Sequence, residues 1–268
     1  SPLVVNPDLG GGSGSSWVNW PESLALNVLD ENNVYANSDQ ALSWPSGGAG
    51  IYSVRADCSG FVTRSLMKAF GFTADDMVAW MGGKGASSAR YHDNILAGNN
   101  FQRIQKASDI RRGDIVAMKY IDKTSGGTGH TMIAARGAEL RPTPTRPEIA
   151  GTVQYELRII DSTSSPHGTP DTDTRKGTGA NGSDQTGAGL GTMRLYADAS
   201  SGVITGYTWS LSTGSTYYTA TSPSDDKRSP SIIGPSSPPT TSRIESTMLS
   251  SIMSRSRSAT LLCRSACC

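Results

Sequence analysis

The chain has 268 residues, of which 36% are apolar and 18% are charged, so it can bury a sizeable hydrophobic core. Its formal net charge of +1 gives no reason to expect nucleic acid or an anionic membrane surface as the main partner. No apolar run approaches the roughly 18 residues that a membrane-spanning helix needs.

The two ends of the chain differ in composition from its middle. Residues 1–16 are rich in Gly and Ser and are predicted to form a flexible arm. From residue 222 onward the chain is dominated by Ser, Pro, Thr and Arg and has no aromatic residue. Such a segment buries too little apolar area to offset its ordering entropy. We therefore predict a folded domain at 17–221 and a disordered tail at 222–268.

Two helices are predicted near the start of the domain. In "NWPESLALNVLDENNVYA", Asn19 is expected to cap the first helix. In "VRADCSGFVTRSLMKAFGF", apolar residues recur at helical spacing from Cys58 onward. Asp57 stands where an N-cap is expected, and Gly71 can take the left-handed conformation that ends a helix. A polar helical region follows and ends near "SARYHDNILAG".

After Gly113 the pattern changes to that of β-strands. Five segments have strand patterns: "GDIVAMKYI", "GHTMIAARG", "VQYELRIIDST", "GTMRLYAD" and "GVITGYTWSLS". Helices followed by antiparallel strands are typical of the α+β class. We predict an α+β fold in which N-terminal helices pack on a five-stranded antiparallel sheet.

Two insertions interrupt the predicted sheet, "ELRPTPTRPEIAG" and "SSPHGTPDTDTRKGTGANGSDQTGAGLG". The second contains "GTGANG", which matches a dinucleotide-binding pattern but neither follows a strand nor opens a helix. It also contains "DTDTRKG", which begins like a calcium loop but has Arg175 at a ligand position and no closing glutamate. We therefore expect no cofactor and no metal.

The four cysteines are unevenly distributed along the chain. Cys58 is the only cysteine in the first 262 residues, and the other three lie within the last six, in a spacing poorly suited to a metal site. A thiol in the first turn of a helix feels the positive end of the helix dipole, which favours the nucleophilic thiolate. A cysteine on an apolar stripe can equally be a small buried hydrophobe, so this segment alone leaves both interpretations open.

A cysteine nucleophile needs a base, and the chain has three histidines. His92 lies in a polar helical stretch and is expected at the surface. His130 begins a predicted strand, and the next strand ends in "RIIDST", which offers Asp161 as the acceptor that orients an imidazole. His167, in "SSPHGTP", is a rival for that third position but is expected in a loop.

Four features occur in order along the chain: "DCSGFV" on a helix, "GDIV" opening a strand, "GHTMI" starting the next strand, and a polar residue ending the one after that. With these features, the sequence resembles the NlpC-type cell-wall cysteine peptidases over roughly residues 20–210. These are papain-like enzymes that cut the peptide stems of bacterial peptidoglycan and are related to the CHAP amidases. The resemblance implies a papain-like fold with Cys58 as nucleophile, His130 as base and Asp161 as orienting residue.

The resemblance also implies further site residues. A tyrosine upstream of the cysteine helps bind the oxyanion in such enzymes. Tyr35 in "NVYAN" is the nearest match, although Tyr52 is closer in sequence. Asp57 and Ser59 match positions that line the substrate groove, and Asp57 can alternatively serve only as the N-cap.

The expected function is therefore that of a peptidoglycan endopeptidase or amidase, whose partner is the stem peptide. The resemblance implies a monomer, secreted or held in the cell envelope, that needs no cofactor, nucleic acid or membrane. The alternatives are an amidase or acyltransferase acting on an amide outside the wall, or an inactive wall-binding module.

Overall fold

The computed structural model of the protein describes residues 16–47, 49–82, 85–120, 127–219 and 229–231. The chain divides into two units, Ser1–Ser236 and Ser237–Cys268, and every described residue lies in the first. The predicted arm, apart from its last residue, lies outside the described residues, as do the three terminal cysteines. Most of the predicted tail lies outside them as well.

The described residues contain four α-helices and eleven β-strands. The helices are α1 (Asn19–Asn27), α2 (Cys58–Phe70), α3 (Ala74–Trp80) and α4 (Ser88–Ala97). The strands before the long sheet are β1 (Asn33–Val34), β2 (Ala41–Ser43) and β3 (Ser53–Arg55). The remaining strands are β4 (Ile115–Lys119), β5 (Gly129–Ala134), β6 (Glu139–Leu140), β7 (Thr152–Thr163), β8 (Gly187–Asp198), β9 (Ile204–Thr208), β10 (Tyr218–Thr219) and β11 (Ser229–Ser231). None of the helices described is long and apolar enough to cross a membrane.

Eight of these strands form one curled antiparallel sheet in the order β10-β9-β8-β7-β5-β4-β11, with β6 paired to β7. The protein is therefore of the α+β class, as predicted. The five predicted strands are β4, β5, β7, β8 and β9, which are contiguous in the sheet, but the short strands β6, β10 and β11 raise the described total to eight. One of them, β11, lies inside the predicted tail and pairs with β4.

The central strands are buried on both faces, which explains their nearly continuous apolar sequences. In β4, Ile115 and Ala117 face the core shared with the helices, whereas Val116 and Met118 belong to a second core on the opposite face. The period of two along a strand produces this alternation. Helices α2 and α4 pack on β5, and this layer brings the candidate site together.

Helix α2 begins and ends as the sequence predicts. The Asp57 carboxylate accepts a hydrogen bond from the Gly60 amide at 2.6 Å, and Gly71 ends the helix with φ +69°. This cap fixes Cys58 as the first helical residue.

The prediction for the start of α1 was wrong. Val18 occupies the N-cap position, and its side chain makes no capping bond. Asn19 instead lies in the first turn, where its Oδ1 accepts a hydrogen bond from Arg112 at 3.0 Å. Arg112 also pairs with Glu22 at 2.7 Å, so these polar groups tie α1 to the turn before β4.

A three-stranded sheet leads the chain into α2. Strand β3 pairs in parallel with β1 and antiparallel with β2, and it ends three residues before Cys58. Beyond the paired residues, the Ala56 amide donates to the Val34 carbonyl at 3.2 Å. Tyr35 is therefore held beside the segment that enters the helix.

Asn33 connects this small sheet to the large one. Its buried side-chain amide exchanges two hydrogen bonds with the backbone of Ala188, at 2.7 and 2.8 Å. The approach is close, because a Cβ added at Gly187 would lie 2.1 Å from Asn33 Oδ1. Gly187 also has φ +93°, a conformation that favours glycine.

We predict that Asn33→Ala lowers the free energy of unfolding by about 1–3 kcal/mol, because both backbone groups of Ala188 lose a buried partner. Urea denaturation followed by circular dichroism measures the change. Asn37→Ala, at an exposed position four residues later, is the control and should change stability by less than about 0.5 kcal/mol. Equal loss in the two variants would contradict the assigned role of Asn33.

Candidate active site

Cys58 lies at the N-terminus of α2 with 4% of its surface exposed. Its sulfur is 3.4 Å from the Ser88 hydroxyl on α4 and 4.0 Å from the carbonyl oxygen of Gly129 on β5. Three elements therefore enclose the thiol.

His130 reaches the thiol from β5. Its Nε2 lies 2.6 Å from Asp161 Oδ2, so Nδ1 is the ring nitrogen left to face the sulfur. His130 and Cys58 are joined by a hydrogen bond and by electrostatic attraction. The structure thus brings the predicted nucleophile, base and orienting residue into one chain of contacts.

The two pKa shifts of this pair point the same way. Burial raises the pKa of the Cys58 thiol, but the charge of His130 and hydrogen bonds from His130 and Ser88 outweigh burial and lower it. Burial lowers the pKa of His130, but the Cys58 thiolate and then Asp161 outweigh burial and raise it to about 10. Both shifts favour the thiolate–imidazolium form of the pair over its neutral form.

Asp161 lies near the end of β7 with 0% exposure, and both of its oxygens have partners. Oδ2 accepts hydrogen bonds from His130 at 2.6 Å and from His167 at 2.9 Å. Oδ1 accepts one from Arg175 at 2.9 Å. Burial raises the pKa of this carboxyl. The Arg175 charge and the two histidines more than offset burial and hold the pKa well below its usual range. Asp161 is therefore a fixed negative charge behind His130.

Arg175 and Asp173 come from the second insertion, and sequence reasoning missed both. Arg175 is 1% exposed and donates two hydrogen bonds to Asp173, from Nε to Oδ1 at 3.0 Å and from Nη2 to Oδ2 at 2.8 Å. It lies against glycines of β8, where a Cβ added at Gly189 would lie 2.6 Å from Arg175 Nε. The glycines at alternate positions in "GAGLG" are the signal that could have indicated a group packed closely on this strand.

His167 also comes from the second insertion. The sequence placed it in a loop as a rival of Asp161, but in the structure it is a partner of Asp161. Its ring stacks on Trp209 with a centroid distance of 4.8 Å, and its Nε2 is 3.4 Å from that of His130. Burial lowers the pKa of His167 more than Asp161 raises it, so the ring is neutral at neutral pH and donates its Nε2 proton to Asp161.

The prediction that His92 lies at the surface was wrong. The residue is 5% exposed because α4 packs on β4 and β5. Its Nδ1 pairs with Asp93 at 2.9 Å. His92 is not among the residues that converge on Asp161.

The two tyrosine candidates have different surroundings. Burial raises the pKa of the Tyr35 hydroxyl, and the negative charges of Cys58 and Asp57 raise it further, which places that hydroxyl in the electrostatic field of the site. Tyr52 is half-buried and packs against the core shared with the helices. Asp57 caps α2 and also accepts the Ser59 hydroxyl at 3.1 Å, so both predicted groove residues flank Cys58 at the helix terminus.

Three side chains of the site could in principle hold a metal ion. Within the described ranges, the donor atoms of His130, Asp161 and His167 lie within 4.8 Å of one another. The Nε2 atoms of His130 and His167 lie 2.6 and 2.9 Å from Asp161 Oδ2, which are the distances of N–H···O hydrogen bonds. A cation would also have to compete with Arg175 for the same carboxylate. The geometry therefore favours a proton-handling network over a metal centre.

Comparison with known proteins identifies a relative. The chain is 30% identical over 207 residues to the uncharacterized protein R653 of Acanthamoeba polyphaga mimivirus, an alignment that spans 74% of this chain and 88% of the viral protein. The chain belongs to the family of this viral protein. No family model and no solved structure matches this chain significantly. The chemistry of this member of the family must therefore be inferred from its own site.

We predict that Arg175→Met destabilises the protein by about 3–5 kcal/mol, because it leaves the carboxylates of Asp161 and Asp173 buried without their shared cation. Urea denaturation measures the loss. The matched control is Arg136→Met, which removes an exposed guanidinium paired with Glu139 and Glu156 and should cost less than about 1 kcal/mol. If the two variants were equally stable, Arg175 would not hold the network together.

Proposed function

We propose that the protein is a thiol hydrolase in which Cys58 attacks the carbonyl carbon of an amide. The observation that carries the proposal is the continuous contact from Cys58 through His130 to Asp161, with the thiol pKa lowered and the imidazole pKa raised. A buried ion pair of this kind is what nucleophilic catalysis by cysteine requires.

Acylation is the first half of the reaction. The Cys58 thiolate adds to the carbonyl carbon, and the resulting oxyanion accepts hydrogen bonds from the Cys58 amide and the Tyr35 hydroxyl. The Cys58 amide is suited to this role because the first amides of a helix have no intrahelical acceptor. His130 then gives its Nδ1 proton to the leaving nitrogen as the C–N bond breaks, which leaves a thioester and a free amine.

Deacylation restores the site. His130, now neutral, removes a proton from water as the water oxygen attacks the thioester carbon. The C–S bond breaks, and the products are a carboxylic acid and the regenerated thiolate–imidazolium pair. Throughout the cycle Asp161 fixes the imidazole through Nε2, so that Nδ1 faces the sulfur and the substrate.

The resemblance to the NlpC-type peptidases supports a more specific proposal. The substrate is an amide bond in a peptidoglycan stem peptide, and the architecture is papain-like, with the nucleophile helix packed on the sheet that carries the histidine. Asp57 and Ser59 lie next to the nucleophile and could hold a substrate amine in the groove. A wall peptidase of this kind acts as a monomer outside the cell membrane, in secreted form or in the cell envelope.

The direct experiment is digestion of purified bacterial peptidoglycan, with the released fragments identified by mass spectrometry. We expect new amine ends within the stem peptides and no product from Cys58→Ala. Asp161→Ala should reduce turnover by about 10²- to 10⁴-fold, the usual range for acid–base assistance. Asp161→Asn should retain more activity, because its amide oxygen can still accept from His130.

The control for this series is Asn37→Ala, at an exposed position, which should match the wild type. Wild-type protein that cleaves no stem peptide would contradict the wall substrate. If, in addition, Cys58 formed no thioester with activated esters of amino acids, the thiol-hydrolase proposal itself would be wrong. Thioester formation without wall cleavage would indicate the alternative, an amidase or acyltransferase acting on another amide.

A further inference from the structure

The described contacts of the Cys58 sulfur include one that neither the base nor the oxyanion donors account for. The Ser88 hydroxyl lies 3.4 Å from Sγ and comes from α4, an element with no other assigned role in the reaction. Ser88 is 2% exposed. Its hydroxyl is not needed to cap α4, because the preceding Ser87 is the N-cap and its hydroxyl accepts a hydrogen bond from the Arg90 amide at 3.2 Å.

A second buried hydroxyl fixes the direction of this contact. Thr131, the residue after His130 on β5, donates its hydroxyl proton to Ser88 Oγ at 2.9 Å. A hydroxyl group has a single proton, and the sulfur has none once His130 holds it. The Ser88 proton is therefore the one that lies between Oγ and Sγ, and the hydrogen bonds run from Thr131 to Ser88 to Cys58.

We propose that Ser88 is a further catalytic residue, whose hydroxyl donates a hydrogen bond to the Cys58 sulfur and stabilises the thiolate, and that Thr131 is the positioning residue that orients it. The proposal rests on the proposed role of Cys58 as nucleophile. It assigns α4 a part in the chemistry, in addition to its packing on the sheet.

The charges around the sulfur explain why a neutral donor is useful there. The His130 charge on β5 lowers the pKa of the Cys58 thiol, whereas the neighbouring Asp57 carboxylate raises it. A serine hydroxyl stabilises the anion without adding a charge to this buried site. It also holds the sulfur between two donors, one from the sheet and one from a helix.

A hydrogen bond to a thiolate has two measurable consequences of opposite sign. It lowers the pKa of the thiol, which increases the thiolate fraction at neutral pH. It also lowers the intrinsic nucleophilicity of that thiolate, since reactivity falls with basicity along a Brønsted slope of about 0.4–0.5. Removing the bond should therefore move the midpoint of a pH–rate profile upward and raise its plateau. A variant that merely displaces the sulfur is not expected to show both a higher midpoint and a higher plateau.

The test is the rate of alkylation of Cys58 by iodoacetamide as a function of pH in the full chain, followed by peptide mapping so that the terminal cysteines are counted separately. We expect Ser88→Ala to raise the midpoint by about one pH unit, a tenfold change in the thiolate equilibrium, with a plateau rate up to about threefold higher. Ser88→Thr, which keeps a hydroxyl, should restore the wild-type midpoint.

Two further variants keep the test decisive if Ser88→Ala folds poorly. Thr131→Val leaves Ser88 in place and should shift the midpoint in the same direction by less. Ser87→Ala removes the α4 cap without touching the sulfur and should leave the midpoint unchanged. An unchanged midpoint in Ser88→Ala would overturn the proposal, as would an unchanged midpoint in Thr131→Val if Ser88→Ala does not fold.

This readout needs no substrate, so its failure is distinguishable from failure of the proposed hydrolase. A wild-type midpoint at or above that of a free cysteine would contradict the nucleophile assignment itself. A depressed wild-type midpoint that Ser88→Ala leaves in place would contradict only the role of Ser88.

Discussion

The Asp161 carboxylate is the group on which the rest of the site depends. It is fully buried at the end of β7, and its two oxygens receive His130, His167 and Arg175. From Cys58 inward, the ionised forms that these contacts favour alternate in sign: a thiolate at Cys58, an imidazolium at His130, a carboxylate at Asp161, a guanidinium at Arg175 and a carboxylate at Asp173. Each buried charge has an opposite neighbour, which offsets the desolvation cost that an isolated charge would incur.

Such a network is useful only when it is complete. Arg175 lowers the pKa of Asp161, the Asp161 carboxylate holds the His130 ring in position and raises its pKa, and His130 lowers the pKa of Cys58. The second insertion is thus linked, through Asp161 and His130, to a sulfur that it does not touch. Neutral His167, stacked on Trp209, closes the remaining side of the carboxylate. The long loop is therefore part of the site.

Several features of the fold follow from local sequence rules. The cap at Asp57 and the stop at Gly71 bound α2 as predicted, because both depend on backbone groups within a few residues. The strand patterns located the central sheet. They also placed His130 and Asp161 at positions that the antiparallel register of β5 and β7 brings together.

The residues that sequence reasoning missed depend on contacts between distant parts of the chain. Asn19 is a favourable cap residue, but its partner is Arg112, 93 positions away. His92 has polar neighbours, yet α4 packs it inward. Arg175 lies in a loop without periodicity, where an arginine is normally solvated, and only the nearby glycines of β8 hinted that it was buried.

The central claim is that His130 is an imidazolium because the Cys58 thiolate lies beside it. Nitrogen-15 NMR of histidine-labelled protein tests this directly, since the chain has three histidines. The folded pKa of His130 is raised, so its ring should stay protonated through neutral pH and lose its proton only near pH 10. In Cys58→Ala the largest favourable contribution is gone, and the ring should titrate at markedly lower pH. A His130 ring that titrates near pH 6.5 in the wild type, or at the same pH in both proteins, would contradict the account.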